Sequence, residues 1–400
     1  SSPDADNDFY FWDEIINTWI NSKANGGAWN DDFDSQFKEG KGYMASYKIA
    51  ATKSFIGVPG TGTYISGQND MPAITYTSEQ GNGWNLLGNP YPSAINWDSI
   101  TKSEKINGSV YVRDGANGQY VNWNGLAGSL SDGEIPPGQG FFVKAEATGQ
   151  SITIENADRL HSNSNFYKDK NGNETENLLS IKVTGNGYTD KTYINFRWDA
   201  TNGYDIKYDA YKIFGIQEAP QLYSIIGDEM NASINTLAFN ANTFDIPLDF
   251  RNGSAGTYII TAEGLESFNA TTIYLNDLQT GNLQELNKTP VYSFNANPED
   301  DPARFILRFN GVNAVEGPGA DAEKSGIKIF NFQKHIFVNS IDGNNLNGMV
   351  EVFSIHGNKL FFDNIRNTDS YQKEIQLPQG FYIVRYIGLG EVVSRKVYVR

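Results

Sequence analysis

Three histidines and no cysteine limit the chemistry open to this chain of 400 residues. With no thiol, a disulfide scaffold, a thiolate metal site and a cysteine nucleophile are excluded. Ser-His-Asp chemistry needs a histidine held by a carboxylate and aimed at a nucleophile. His161, in Asp158-Arg159-Leu160-His161-Ser162, has no Gly-x-Ser-x-Gly element beside it and reads as a polar loop residue. His335 and His356 fall in the C-terminal part. Glycoside hydrolysis needs only two carboxylates. Asp13 and Asp114 recur in equivalent contexts, which argues for one shared job, closing a hairpin turn. Catalytic carboxylates need unlike environments that split their pKa values. The expectation is therefore a protein that is not an enzyme.

Two binding chemistries fit the residues better. Asp169, Asn171 and Asn173, followed by Glu174 and Glu176, put oxygen ligands at alternate positions, the donor type that Ca2+ prefers. The EF-hand pattern fails there, because Gly172 comes too early. Asp4, Asp6 and Asp8 make a second acidic cluster without a turn glycine. Beyond calcium no cofactor is expected: no P-loop or dinucleotide fingerprint follows a βαβ pattern. Sugars stack on flat aromatic rings beside Asn or Asp. Trp12, Trp19, Tyr120 and Trp123 are the candidates for such glycan contacts, with Asn21 and Asn122 nearby. The competing expectation is that these rings anchor a core.

The elements that must position these residues are strands. Apolar residues alternate in Leu179–Val183, Thr192–Phe196, Thr257–Ile260 and Phe305–Phe309, bounded by Gly, Asn and Asp. Period two with turn residues at the ends reads as half-buried strands. The fold class is all-β, in several β-sandwich domains of which the last is a small Ig-like sandwich. A short helix is expected after Trp97, capped by Asp98 and running over Ser99 to Lys105. With 47 acidic against 31 basic residues, the net charge is −16. That balance excludes nucleic acid as a partner, since phosphate contacts dominate such binding. No apolar run approaches the length of about 20 residues that spans a bilayer.

A repeat organises residues 1–160. Tyr10-Phe11-Trp12-Asp13 and Trp19-Ile20-Asn21 recur at one constant offset as Tyr111-Val112-Arg113-Asp114 and Tyr120-Val121-Asn122. Gly40-Lys41-Gly42-Tyr43-Met44 recurs as Gly138-Gln139-Gly140-Phe141-Phe142. The domain is thus a duplicated β unit with hairpin repeats near 9–47 and 110–145. Gly83–Pro92 precedes only the second copy, so a matching segment is expected upstream of Ser1. The opening Ser1-Ser2-Pro3-Asp4 lacks the basic and apolar regions of a signal peptide. A β-sandwich is expected over 166–312, a Gly/Pro/charged linker over 313–326, and a compact strand-rich unit over 327–400.

The last unit resembles the type A C-terminal sorting domain of the Bacteroidetes type IX secretion system. Val352-Phe353-Ser354-Ile355-His356-Gly357-Asn358-Lys359-Leu360 resembles that family's glycine-centred hairpin. Leu377-Pro378-Gln379-Gly380-Phe381-Tyr382-Ile383-Val384 resembles its L-x-x-G-x-Y-x-V element. Lys396-Val397-Tyr398-Val399-Arg400 resembles its final K-V-x-V-x strand. The resemblance implies an Ig-like sandwich and sorting residues at Gly357, Gly380, Tyr382, Val384, Lys396 and Val399. It implies the secretion translocon and shuttle proteins as partners, and an extracellular, cell-surface location. It also implies removal of the tail by a surface protease, with Gly317, Gly319, Ala320 and Ser325 marking the processing linker. Upstream, Gly83–Ser93, Pro137–Val143 and Asp209–Gly215 resemble a region found before such tails in the same bacteria. Asp98-Ser99-Ile100 resembles the O-glycosylation acceptor of these bacteria.

The expected function is a non-catalytic surface protein, acting as stalk, adhesin or binding module and anchored through its tail. The alternatives are an accessory region of a secreted polysaccharide-degrading enzyme and a subunit of an extracellular filament or surface layer. Surface glycan or neighbouring copies are the expected external partners.

Overall fold

The computed structural model describes residues 7–24, 28–48, 58–78, 81–161, 177–197, 199–227, 230–238, 244–268, 271–310, 327–332, 335–340, 344–354, 357–378, 380–388 and 392–399. The protein is all-β, as the period-two pattern requires. Among the described residues the helical segments are short 3-10 turns at Ser131–Gly133, Asn156–Asp158 and Leu265–Phe268. No described helix is long and apolar enough to cross a membrane. The chain forms two compact units: Ser1–Phe239 with Asp245–Ser267 and Tyr274–Arg308, and Asn240–Phe244 with Phe268–Ile273 and Phe309–Arg400.

The sequence repeat is a structural repeat in the first unit. Strands Asn7–Asp13 and Thr18–Asn21 pair with Tyr10 opposite Asn21 and Asp13 opposite Thr18. Strands Val110–Asp114 and Gln119–Trp123 pair with Tyr111 opposite Asn122 and Asp114 opposite Gln119, the same register. Each turn ends on a left-handed residue at the twin position, Asn17 at φ 50° and Gly118 at φ 65°. These are the residue types that tolerate that region. The Gly-x-Gly elements also match. Tyr10 pairs with Met44 and Tyr111 with Phe142, their twins. Strand Trp84–Gly88 runs antiparallel to Gly140–Lys144 and is bridged on its other side at Lys41. A Cβ on Gly88 would lie 2.6 Å from the Lys41 carbonyl oxygen, so glycine is needed for that close approach.

The expected helix after Trp97 does not form. Asn96 takes its place as the controlling residue: its Oδ1 accepts from Asp98 N at 2.8 Å and its carbonyl accepts from Ser99 Oγ at 3.0 Å. The chain turns there and continues as the short strand Thr101–Lys102. A local side-chain bond has outcompeted helix nucleation.

The sandwich of the first unit is one long sheet that packs on itself. Its order runs Asn282–Glu285, Thr272–Asp277, Phe305–Asn310, Phe244–Arg251, Gln221–Ile226, Met230–Ala238, Tyr188–Arg197, Leu178–Gly185, Gly256–Glu263, Val291–Ala296, with Ala210–Tyr211 also on Met230–Ala238. Phe250 and Tyr258 lie far apart in that order, yet their rings are 5.1 Å apart. Phe294 and Phe305 close the same core at 5.0 Å. Buried within it, Arg304 donates to both oxygens of Asp277, at 3.1 and 2.9 Å.

In the second unit, the described residues between 327 and 399 form a seven-stranded sandwich. Strands Ile327–Phe332, His335–Ser340 and Ser370–Glu374 make one sheet; Lys359–Thr368, Leu346–Ser354, Gly380–Gly388 and Val392–Val399 make the other. Val338, Val350, Val352, Val384 and Val397 fill the space between them. Two sheets of alternating inward residues closing one core is the expected Ig-like arrangement.

Candidate functional site

The three upstream phrases that carried the sequence resemblance meet in space. Each gives one ring to a single cluster: Trp84, Phe142 and Tyr211. Pairing decides this. Lys144 lies opposite Trp84, Phe142 opposite Leu86, and Phe142 also opposite Tyr111. Directly opposed residues share a face, so Trp84, Leu86, Phe142, Lys144, Tyr111 and Tyr120 all look the same way. Tyr211 comes from the sandwich and meets Trp84 at 6.0 Å.

Trp12 and Trp19 complete the cluster from the first hairpin. They are cross-strand neighbours, 5.5 Å apart, and reach Phe142 at 6.2 and 5.8 Å. Tyr120 reaches it at 6.1 Å. All these contacts are edge to face, the geometry the ring quadrupole favours. Trp12 Nε1 donates to the Trp84 carbonyl at 2.9 Å. Trp12, Trp19 and Tyr120 are half-buried. Their placement joins the duplicated region to the sandwich.

Trp123 stands apart from them. It lies on the opposite sheet face, packs against the core built around Trp97, and donates through Nε1 to Asp98 at 3.0 Å. The four candidate glycan contacts therefore do not form one surface.

One buried cation belongs to the cluster. Lys144 is 2% exposed. Its Nζ sits 5.2 Å from the Trp84 ring centre and 4.8 Å from that of Tyr211, and donates to the Asn82 carbonyl. Burial pushes its pKa down to about 8, against the pull of Glu146 and Glu14. Glu146 accepts from the Tyr204 and Tyr211 hydroxyls. Burial also holds the Tyr211 phenol up, at about 12. At neutral pH Lys144 and Tyr211 are mostly protonated and donate hydrogen bonds.

Polar side chains extend the joint. Asn107 donates to the Tyr204 hydroxyl at 2.9 Å and to the Asp209 carbonyl at 3.1 Å. Asn122 donates to Ser233 Oγ at 2.6 Å, and Gln119 to the Pro220 carbonyl at 2.7 Å. Asp209 is fully buried and accepts from Asp205 N and Thr236 N, both at 2.7 Å. Burial pushes its carboxyl up to about 7 although those two N–H groups pull it down. Sequence reasoning missed Lys144 and Asp209. A single charge inside the apolar run Phe141-Phe142-Val143-Lys144-Ala145 was the available signal.

The other candidates fall as follows. Asp13 and Asp114 close their turns, as expected. His161 is exposed, and His335 lies on strand His335–Ser340. His356, the calcium candidates Asp169, Asn171 and Asn173, and the linker residues Gly317, Gly319, Ala320 and Ser325 lie outside the described residues. Among the described residues no cluster of three His, Asp or Glu side chains could hold a metal. In the tail, Gly357 turns the hairpin at φ 85°. Tyr382 and Val384 point into the core, and the Tyr382 hydroxyl donates to the Pro378 carbonyl at 2.7 Å. Gly380 pairs with Val399, and Ile383 with Lys396, which places the final strand at the edge of its sheet.

The chain is similar to the minor fimbrium subunit Mfa5 of Porphyromonas gingivalis, 24% identical over 342 residues, which cover 74% of this chain and 26% of that protein. The chain thus spans about a quarter of that relative's length. A family model described as a domain of unknown function (DUF8693) matches residues 1–309, the stretch that holds both copies of the hairpin and all three phrases of the cluster. With that match, the chain belongs to the DUF8693 family.

Proposed function

We propose that this chain is a non-catalytic part of a bacterial surface assembly of the fimbrial kind, delivered to the cell surface through its C-terminal sandwich. The observation that carries the reading is the similarity to a fimbrium subunit over 74% of the chain. The all-β build supports it. So does the candidate site, whose rings and amides are spent on joining β modules. Rigid joints suit a load-bearing stalk.

The delivery role rests on the tail. Gly357, Tyr382 and Val384 build its turn and core, so a reader of this signal meets a folded object. Among the described residues, strand Val392–Val399 ends its sheet, the position used in strand addition. Calcium is retained only as a proposal for Asp169, Asn171 and Asn173, and surface glycan only as a proposal for Trp12, Trp19 and Tyr120.

The test follows the protein in its native cells with and without residues 327–400. Loss of surface protein on removal of the tail, with cleavage mapped within 317–326 in the intact protein, supports sorting and release. Unchanged surface display without the tail sinks the sorting role. Surface fibres that contain Arg400 would leave the fimbrial reading standing and remove the processing step.

A further inference from the structure

The two copies of the hairpin differ in what they touch. The second copy's turn is docked on the sandwich. Asn117 Nδ2 donates to the Thr189 carbonyl at 2.6 Å, and Ile216 N donates to the Gly118 carbonyl at 2.8 Å. Gly118 and Gln119 are buried there. At the twin positions in the first copy, Asn17 and Thr18 are exposed. The residues before them are Ile15 and Ile16, 58% and 53% exposed.

The first hairpin is not loosely held. Glu14, 4% exposed, accepts from Thr77 N at 2.6 Å and from Gly83 N at 2.9 Å. Those two bonds anchor the turn beside the two exposed isoleucines. A fixed turn presenting two adjacent large aliphatic side chains to solvent is an unusual use of apolar surface. The twin hairpin shows what the same geometry does when occupied.

We propose that the turn Ile15–Thr18 docks on a β-sandwich domain outside this chain, one that presents a loop with an apolar stretch of the kind Phe214-Gly215-Ile216. That segment is what runs along the twin turn here. A second copy of this chain is not the occupant, because its own segment is already taken by its own second hairpin. The isoleucines replace Ala116 and Asn117, so the outside contact is more apolar than the internal one.

The test replaces Ile16 by a photoreactive benzoylphenylalanine in the full-length protein on its native cells. Val58, 90% exposed, receives the same replacement as a control. After irradiation the adduct peptides are sequenced by mass spectrometry. The expected result is an adduct from position 16, well above the control, to a strand-flanking segment of a β domain outside residues 1–400. Adding Ile15→Asp lowers it by about tenfold, the cost of losing one anchor. The thermal midpoint of the Ile15→Asp protein moves little, since Ile15 is 58% exposed. An adduct to residues 1–400 of a second copy overturns the proposal. So does a yield no higher than that of position 58, or an adduct indifferent to Ile15→Asp.

Discussion

Asp13 and Asp114 do the same work in two copies of one hairpin. Asp13 Oδ1 accepts from Ile15 N at 2.9 Å, and Asp114 Oδ1 accepts from Ala116 N at 3.0 Å and Asn117 N at 3.1 Å. Both carboxylates satisfy turn amides that the strand ladder leaves over. Asp114→Ala is expected to destabilise the first unit by about 1 kcal/mol, the usual cost of such a lost acceptor. Asp114→Asn, which keeps Oδ1, should lose little. Urea unfolding followed by tryptophan fluorescence reads both. Equal losses for Ala and Asn would mean that the charge, not the acceptor, matters.

The buried Lys144 sets a pH dependence. Its folded pKa, about 8, lies below the ordinary 10.5. The folded state therefore binds fewer protons than the unfolded chain between these values, and stability rises with pH across that window. The slope approaches about 1.4 kcal/mol per pH unit for each such group. Burial lowers Lys102 to about 8 as well, so it adds to the same limb. Lys144→Met should remove part of the gain between pH 8 and 10. Unfolding free energies at those two values decide it, and an unchanged slope in the variant would refute the assignment.

Asp209 acts in the opposite sense at lower pH. Its folded pKa, about 7, lies above the ordinary 3.8. The folded state then binds more protons, so stability falls as pH rises from about 4 to 7 and levels off above. Together with the lysines this places a shallow minimum between pH 7 and 8. A denaturation series in steps of pH locates it, and a maximum there would contradict both assignments.

Gly42 and Gly115 should respond differently to alanine. A Cβ on Gly42 would run into the Leu87 carbonyl and the Leu86 side chain, whereas one on Gly115 meets nothing within 4 Å. Gly42→Ala must push two backbone segments apart and is expected to cost about 1–3 kcal/mol. Gly115→Ala should be neutral or slightly stabilising. Thermal unfolding of the two variants separates close approach from general glycine loss.

The Arg304–Asp277 pair should be costly to break. Both side chains are at most 2% exposed. Burial pushes the Asp277 carboxyl up, but Arg304 and Tyr292 outweigh it and hold it below the usual range. Its stabilisation is thus present above about pH 4 and is lost as pH falls through the folded value. Asp277→Asn takes away the two-point counter-charge of a buried guanidinium and leaves it Asp300, 3.8 Å away, at a cost of about 3 kcal/mol. A loss under 1 kcal/mol, measured by urea unfolding, would show that solvent reaches the pair.

Sequence alone determined the strand class and the repeated hairpin. Strand character is local: alternation along Leu179–Val183 states which side chains share a face wherever the strand ends up. The hairpin turns were legible because Asp13 and Asp114 recur in equivalent contexts, each able to close a turn within a few residues. In the tail, Gly357, Tyr382 and Val384 were singled out by the resemblance, and the structure puts the first in a turn and the other two in the core. A local signal misled once, after Trp97, where Asn96 rather than Asp98 took the backbone amides. Only the tertiary structure decided that Trp84, Phe142 and Tyr211 form one cluster. Their meeting depends on which strands pair and on how a sheet with Tyr211 at its margin lies against another, and neither is written in spacing. The same holds for Lys144 and Asp209, whose altered pKa values come from the walls around them. The contrast between the docked and the exposed turn also needed the fold, since twin sequences fold alike while their neighbours do not.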